Sequence, residues 1–209
     1  YFVNIRTTGY TMRMTILAFQ KIIWDYYQAH PRSMPWRETT NPYYVYLSEV
    51  MLQQTQVDRV IPKYTLFIDQ FPNWKSLASA SLKDVLHVWS SLGYNRRALF
   101  LIKSAQIIVN QFNGILPSDP KFLLKLPGIG DATAHSIVAF AFNKPVVFIE
   151  TNIRSVFIHC FFEYQTEVDD RLIFPLVKRS CSHSNPREWY WALMDYGAML
   201  KKINNPSQK

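Results

Sequence analysis

Cysteine, glycine and long apolar runs are scarce in this 209-residue sequence. Its two cysteines, Cys160 and Cys181, are too few for a disulfide scaffold or for a metal site with four thiolate ligands. The longest apolar run, residues 137–142, is far shorter than the roughly 20 residues that a membrane-spanning helix needs. The six glycines leave little room for the tight turns of an all-β protein. We therefore expect a protein that neither depends on disulfides nor spans a membrane.

Positive charge and apolar side chains are abundant. Lysine and arginine number 23 against 15 acidic residues, which gives a formal net charge of +8. Such an excess favours a polyanionic partner. The 48% of hydrophobic residues suffices for one compact core or for two small lobes.

Apolar residues recur every three to four positions along most of the chain, which is the period of amphipathic helices. The first such pattern follows Thr15, a predicted N-cap, and ends before Pro31. We predict further helices over residues 57–71, 82–89, 95–112, 131–142, 152–162, 169–181 and 186–202. Strand-like alternation is hard to find, so the predicted fold class is all-α.

A turn with two glycines joins two predicted helices at residues 123–130. Gly128 and Gly130 allow backbone amides to approach a ligand closely, and the start of the following helix favours an anion. A DNA phosphate is one candidate for this anion. The alternative is a tight turn that serves only to connect two helices.

Two glutamates stand out. Glu49 lies in an apolar helical stretch between Val45 and Leu52, where desolvation would raise its pKa and make it a candidate general acid. Glu150 and Asn152 follow an extended apolar segment at a predicted helix start. The alternatives are an ordinary solvated glutamate for Glu49 and simple helix capping for Glu150.

Taken in order and spacing, these segments resemble the helix-hairpin-helix (HhH-GPD) DNA glycosylase superfamily, most closely its MutY-type A/G-specific adenine glycosylases. The resemblance covers residues 33–199 and rests on residues 34–37, 48–57, 92–98, 126–130 and 192–199. It implies a DNA glycosylase of base excision repair that flips a base out of mispaired or damaged duplex DNA and hydrolyses its N-glycosidic bond. The implied architecture is two helical lobes with a DNA-binding cleft.

The resemblance also implies roles for single residues. Glu49 matches the acid that protonates the departing adenine at N7. Glu150 stands where the family has an aspartate that stabilises the cationic sugar, and Asn152 matches the asparagine that supports this site. Because glutamate is one methylene longer than aspartate, we expect activity with an altered rate or specificity.

Further matches concern DNA and the base pocket. They assign the pocket wall to Trp36, Arg37 and Leu52, probing of the base stack to Gln54, Thr55 and Tyr94, phosphate binding to Gly128 and Gly130, a monovalent cation (K⁺ or Na⁺) to the carbonyls of Leu124, Leu126 and Ile129, and other base-pocket or DNA contacts to Lys125, Ala132 and Asp195.

Three departures from the family pattern refine these expectations. Ala132 stands where relatives that also cleave the DNA strand carry a Schiff-base lysine, so a monofunctional glycosylase without lyase activity is expected. Lys201 stands where the first cysteine of the family's iron-sulfur cluster would be, so we expect no cluster and no required cofactor. The sequence ends at Lys209, and we expect no C-terminal domain that reads 8-oxoguanine.

Two alternatives remain at this point. One is a glycosylase of the same fold that removes another base, such as thymine opposite guanine, hypoxanthine or a modified adenine. The other is an inactive DNA-binding relative.

The expected organisation is an N-terminal extension (1–14), a helical lobe from both chain ends (15–40 plus 144–209) and a helical barrel lobe (41–143) that holds the hairpin at about 121–142. Glu49 and Glu150 are expected to face each other across the cleft. We expect double-stranded DNA as the partner, no membrane association and a monomer. The expected location is the cytoplasm and its nucleoid in a bacterium, or the nucleus or an organelle in a eukaryote.

Overall fold

The computed structural model describes residues 14–162, 165 and 167–203. All regular structure in this part of the chain is helical, which confirms the all-α prediction. The helices are α1 (Ile16–Ala29), α2 (Pro42–Leu52), α3 (Val57–Gln70), α4 (Trp74–Ala78), α5 (Leu82–Trp89), α6 (Arg96–Phe112), α7 (Pro120–Leu123), α8 (Asp131–Phe142), α9 (Thr151–Phe161), α10 (Asp170–Ser180) and α11 (Pro186–Ile203). The predicted N-terminal extension lies, up to residue 13, outside the described residues. No helix among those described is both long and apolar enough to cross a bilayer.

The observed helices follow the predicted periodicity, with ends that differ by a residue in several cases. Thr15 caps α1 as predicted, because its hydroxyl accepts a hydrogen bond from the Ala18 amide at 3.1 Å. Two short elements lie outside the predicted helices, a 3₁₀ turn at Pro35–Arg37 and helix α4, whereas α7 is the short helix that was expected before the glycine turn. Each is too short to produce a recognisable apolar period.

The chain divides into two compact units. One is formed by residues Ser33–Lys144, and the other by the residues up to Arg32 together with those from Pro145 onward.

Helix α2 is the centre of the Ser33–Lys144 unit. Asn41 caps it through a hydrogen bond from the Tyr43 amide, and Pro42 occupies the first turn, where a missing N–H does no harm. Seven of its residues are buried, and it packs against α3, α6 and α8. Its apolar surface extends around most of the helix, which explains why the helix lies within the core and not on the surface.

The second unit is built around α9 and α11, with α1 and α10 packed against them. An aromatic cluster fills its core: the ring of Phe19 lies 4.9 Å from Phe157 and 5.9 Å from Trp189, centroid to centroid. Helices α9 and α11 approach closely at Gly197, where an added Cβ would lie 2.5 Å from the Asn152 carbonyl oxygen. Glycine at this position therefore sets the distance between α11 and the start of α9.

Candidate active site

Glu49 lies on the part of α2 that faces α8. Its carboxyl oxygen Oε2 is 2.5 Å from the hydroxyl of Ser136, a buried residue of α8. The same hydroxyl is 3.0 Å from the carbonyl oxygen of Thr133, one turn earlier. Glu49 itself is partly buried, as its apolar neighbours in the sequence indicated.

The Ser136 hydroxyl accommodates both protonation states of Glu49. A hydroxyl has one proton to donate and can also accept. When Ser136 donates to the Thr133 carbonyl, its oxygen can accept a hydrogen bond from a neutral Glu49. When Glu49 is ionised, Ser136 donates a hydrogen bond to it instead. Such a pair suits a group that must hold a proton and then release it.

Glu150 is the N-cap of α9 and uses both of its carboxyl oxygens. Oε1 accepts from the amides of Asn152 and Ile153, at 2.8 and 2.9 Å, and Oε2 accepts from the Asn152 side-chain amide at 3.2 Å. Burial raises the pKa of Glu150, whereas these hydrogen bonds and the charge of Lys201 oppose the rise. The longer glutamate side chain thus forms the capping geometry that an aspartate would form.

Lys201 is close enough to Glu150 to influence its charge. In the sequence, this lysine stood out only because it occupies the position where the family has its first cluster cysteine. It lies in the last turn of α11, one helical turn after Gly197, and is partly buried. Burial lowers its pKa, and the negative charge of Glu150 opposes this decrease. In the sequence, the four-residue spacing places Lys201 on the same face of the helix as Gly197. That spacing points to Glu150 only when Gly197 is known to contact Asn152, at the start of α9.

The glycine turn is a helix-hairpin-helix formed by α7, residues 124–130 and α8. Gly128 has a φ of 77°, and an added Cβ would lie 2.5 Å from the ring of Phe100. Both constraints require glycine. The Gln53 side chain donates to the Gly128 carbonyl at 3.2 Å, which ties the end of α2 to the hairpin.

The start of α8 has no side-chain cap, because its N-cap is Gly130. No heavy atom lies within 4 Å of the place where a Gly130 Cβ would be. The first amides of a helix have no partner within the helix and carry a partial positive charge. The open space above them therefore suits an anion, and the exposed Lys125 is in the same turn.

Gln54 and Tyr94 lie on two loops of this unit, one after α2 and one before α6. Both are exposed, Tyr94 to 63%, and both have positive φ values, 54° and 49°. Thr55 is partly buried and accepts a hydrogen bond from Arg97 at 2.9 Å. Arg97 carried no predicted role, although it lies within the motif of residues 92–98.

The remaining predicted site residues differ in exposure. Trp36 is only 6% exposed and stacks edge-on against Tyr64, so its ring belongs mainly to the core. Arg37, Leu52 and Ala132 are partly exposed. Asp195 is buried in its own unit and forms an ion pair with Arg32 at 2.8 Å, and its predicted role in the base pocket or DNA binding stays a prediction.

The two cysteines lie on different segments of the second unit. Cys160 is on α9 and Cys181 follows α10, and both are free thiols. Among the described residues, no three or more His, Cys, Asp or Glu side chains form a group that could hold a metal ion. Two thiols fall short of the four ligands that iron-sulfur clusters take.

Comparison with known proteins identifies the fold. Residues 47–174 match the model of the HhH-GPD superfamily base excision DNA repair protein. A thermostable thymine-DNA glycosylase has a TM-score of 0.82 at 23% identity, covering 92% of this chain and 90% of that protein. Endonuclease III trapped in a covalent intermediate with DNA gives a TM-score of 0.70 at 18% identity, with coverages of 90% and 85%. At these identities the likeness concerns the fold alone.

The sequence relatives are more specific. The adenine DNA glycosylase of Buchnera aphidicola subsp. Baizongia pistaciae is 38% identical over 198 residues, which are 92% of this chain and 56% of that protein. The adenine DNA glycosylase of Mycobacterium tuberculosis is 39% identical over 132 residues, 63% of this chain and 43% of that one. The chain thus spans about half the length of these relatives. With a family model that matches more than half of its residues, the chain belongs to the HhH-GPD superfamily of base excision DNA repair proteins.

Proposed function

We propose that this protein is a DNA glycosylase that removes adenine from mispaired duplex DNA by hydrolysing the N-glycosidic bond. The observation that carries the proposal is the Glu49–Ser136 pair, a partly buried carboxyl whose hydroxyl partner can either accept a hydrogen bond from it or donate one to it. Relatives named adenine DNA glycosylase match 92% of the chain, which supports adenine as the base.

In the proposed reaction, the target base first leaves the stack, since its glycosidic bond is inaccessible within the duplex. Glu49 then donates its proton to the departing adenine as the carbon–nitrogen bond breaks, which turns a poor leaving group into a better one. Ser136 orients the carboxyl and, once Glu49 is ionised, donates to it. Water supplies a hydroxyl to the sugar carbon, and its remaining proton replaces the one that Glu49 gave up. The net reaction is therefore hydrolysis.

Glu150 stabilises the positive charge that develops on the sugar. For this role it must be ionised. The two amides at the start of α9, the Asn152 side chain and Lys201 all favour the carboxylate against the effect of burial. Asn152 therefore acts as the residue that holds Glu150 in position.

The DNA backbone is bound by the uncapped start of α8, with Lys125 contributing charge. Carbonyl oxygens are ligands suited to a hard monovalent cation, and those of Leu124, Leu126 and Ile129 in the hairpin would hold K⁺ or Na⁺. The cation would help to hold a phosphate at the turn. The net charge of +8 supports salt-sensitive binding to double-stranded DNA, and we propose that the protein binds as a monomer.

We propose hydrolysis without strand cleavage, because Ala132 offers no amine for a Schiff base. The two thiols support the further proposal that catalysis requires no iron-sulfur cluster.

A panel of labelled duplexes tests the proposal. It contains adenine opposite guanine, adenine opposite 8-oxoguanine, hypoxanthine, N6-methyladenine and thymine opposite guanine, each incubated under single-turnover conditions and cleaved with alkali. We expect cleavage of the adenine mispairs and none in samples without alkali. If only a base other than adenine were released, that base would be the substrate. If no base were released from any duplex, the enzyme proposal would be refuted.

A further inference from the structure

Arg97 is a buried arginine in the first turn of α6, and its guanidinium donates to groups from two different segments. Nη1 donates to the carbonyl oxygens of Val50, Met51 and Gln53 at 3.0, 2.8 and 2.6 Å, and Nη2 donates to the hydroxyl of Thr55 and the carbonyl oxygens of Leu92 and Gly93 at 2.9, 3.3 and 3.1 Å.

Val50 and Met51 are in the last turn of α2, and the other acceptors belong to the two loops that carry Gln54 and Tyr94. We name residues 53–56 the α2 loop and residues 90–95 the α6 loop. The Arg97 guanidinium carbon also lies 5.1 Å from the Trp89 ring centroid and 5.5 Å from that of Tyr94. The Trp89 indole N–H donates to the Gly93 carbonyl at 3.0 Å. One side chain therefore connects both loops to the end of α2.

Both loops contain non-glycine residues in the left-handed backbone region. The φ values are 54° for Gln54, 73° for Ser91 and 49° for Tyr94. Two other non-glycine residues of the described chain have positive φ, and both are asparagines that end helices, where this conformation is ordinary. Strained residues persist only where their surroundings fix them, and they concentrate at functional sites.

The strained loops present two exposed side chains to the solvent, while the arginine that connects the loops is buried. Gln54 and Tyr94 are exposed, whereas Arg97 is only 7% exposed. A buried arginine loses hydration, and apolar residues of similar volume often stabilise a core as well or better. It donates to two carbonyls at the end of α2 and to carbonyls and one hydroxyl of the two loops, so its hydrogen bonds hold the conformation of both loops against α2.

We propose that Arg97 is a positioning residue for base extrusion, which locks the α2 loop and the α6 loop so that Gln54 and Tyr94 enter the DNA together. The proposal rests on the proposed function only in its second step, release of the base. Extrusion itself is measurable without any chemistry.

Arg97→Lys is the test variant, because lysine keeps the charge but is a point donor that cannot reach acceptors on both loops. Arg96→Lys is the matched control, since Arg96 is the exposed preceding residue and lies over Phe100, 5.0 Å from its centroid. Melting temperature verifies that each variant folds. If Arg97→Lys fails to fold, Trp89→Phe takes its place, because it removes the indole donor to the Gly93 carbonyl and keeps an aromatic ring beside the Arg97 guanidinium.

The first measurement uses a duplex with 2-aminopurine in place of the target adenine, opposite guanine. Its fluorescence rises when the base leaves the stack. We expect a rise with the wild type and with Arg96→Lys, and little or none with Arg97→Lys or, to a smaller degree, Trp89→Phe.

The second measurement compares single-turnover base release from adenine opposite guanine with release from adenine opposite an abasic analogue, which needs less work to extrude. We expect Arg97→Lys to lose about tenfold or more on the paired substrate and much less on the unpaired one. A purely structural role would decrease both rates equally.

The outcomes separate this inference from the proposed function. No fluorescence rise with the wild type, an unchanged rise with Arg97→Lys, or equal losses on both substrates would overturn the role of Arg97. A wild type that extrudes the base in an Arg97-dependent manner but releases none would support the inference and refute the glycosylase proposal.

Discussion

Glu49 and Glu150 are the same residue type in two different electrostatic settings, one in each unit of the chain. Glu49 lies in the last turn of α2, where the negative end of a helix does not favour a carboxylate, and it is hydrogen-bonded to the neutral Ser136 hydroxyl. Glu150 lies at the start of α9, where two backbone amides and the cation of Lys201 favour the carboxylate. Carboxyls in such different surroundings suit different roles, acid for Glu49 and charged stabiliser for Glu150.

Replacement of the proposed acid would have the largest effect. Glu49→Gln keeps the shape of the side chain but has no carboxyl proton to donate, so we expect single-turnover base release to fall by about 10³-fold. DNA affinity, measured by fluorescence anisotropy on the same duplex, should remain within a few-fold of the wild type. The control is Glu188→Gln, an exposed glutamate in α11. Full activity of Glu49→Gln would show that Glu49 is not the general acid.

Glu150 offers a pair of variants that separates charge from length. Glu150→Gln removes the charge, and we expect a decrease of about 10² to 10³-fold in the rate, because the developing sugar cation loses its counter-charge. Glu150→Asp keeps the charge and is a good N-cap, so its rate should stay within about tenfold of the wild type. Equal losses in both variants would mean that position, not charge, decides the function of Glu150.

The sequence was sufficient to predict the long helices and to single out the two glutamates, because both depend on local pattern. Apolar periodicity located the long helices, and Thr15 indicated where α1 begins. Glu49 stood out between apolar neighbours, and Glu150 stood out at a helix start. The assignment of catalytic roles came from the resemblance and not from the pattern.

The partners of the acids could not be predicted, because they come from distant segments. Ser136 is 87 positions from Glu49, and nothing local distinguishes it from other buried serines such as Ser104 and Ser155. Arg97 looked like one more basic residue of a charged chain until its contacts with the end of α2 were known. Tertiary packing alone brings these groups together.

Ser136 allows a test of the hydrogen bond that orients the Glu49 carboxyl. Ser136→Ala removes the hydroxyl that orients the carboxyl, and we expect the single-turnover rate to fall by about tenfold with little change in DNA affinity. Ser136→Thr keeps the hydroxyl and is the matched control, with a rate close to that of the wild type. If both variants retained the full rate, the hydrogen bond to Glu49 would have no part in proton donation.

Replacement of Lys201 tests how its charge influences the pKa of Glu150, measured by the pH dependence of the rate. Its expected effect is the smallest of these predictions. Glu150 must be ionised to act, so the rate should fall as pH decreases through its pKa, which burial raises above the ordinary glutamate range. The charge of Lys201 opposes that rise. Lys201→Met should therefore raise the pKa of Glu150 further and move the acidic limb of the pH-rate profile to higher pH.

The expected result is a loss of a few-fold on the acidic limb that disappears at higher pH, where Glu150 is ionised in both proteins. Lys202→Met is the matched control, because Lys202 is the exposed neighbour in the same helical turn and should leave the acidic limb unchanged. A loss of equal size at every pH would indicate that Lys201 acts through packing and not through its charge. A shift confined to Lys201→Met would instead establish that the position of the family's first cluster cysteine carries a charge that tunes Glu150.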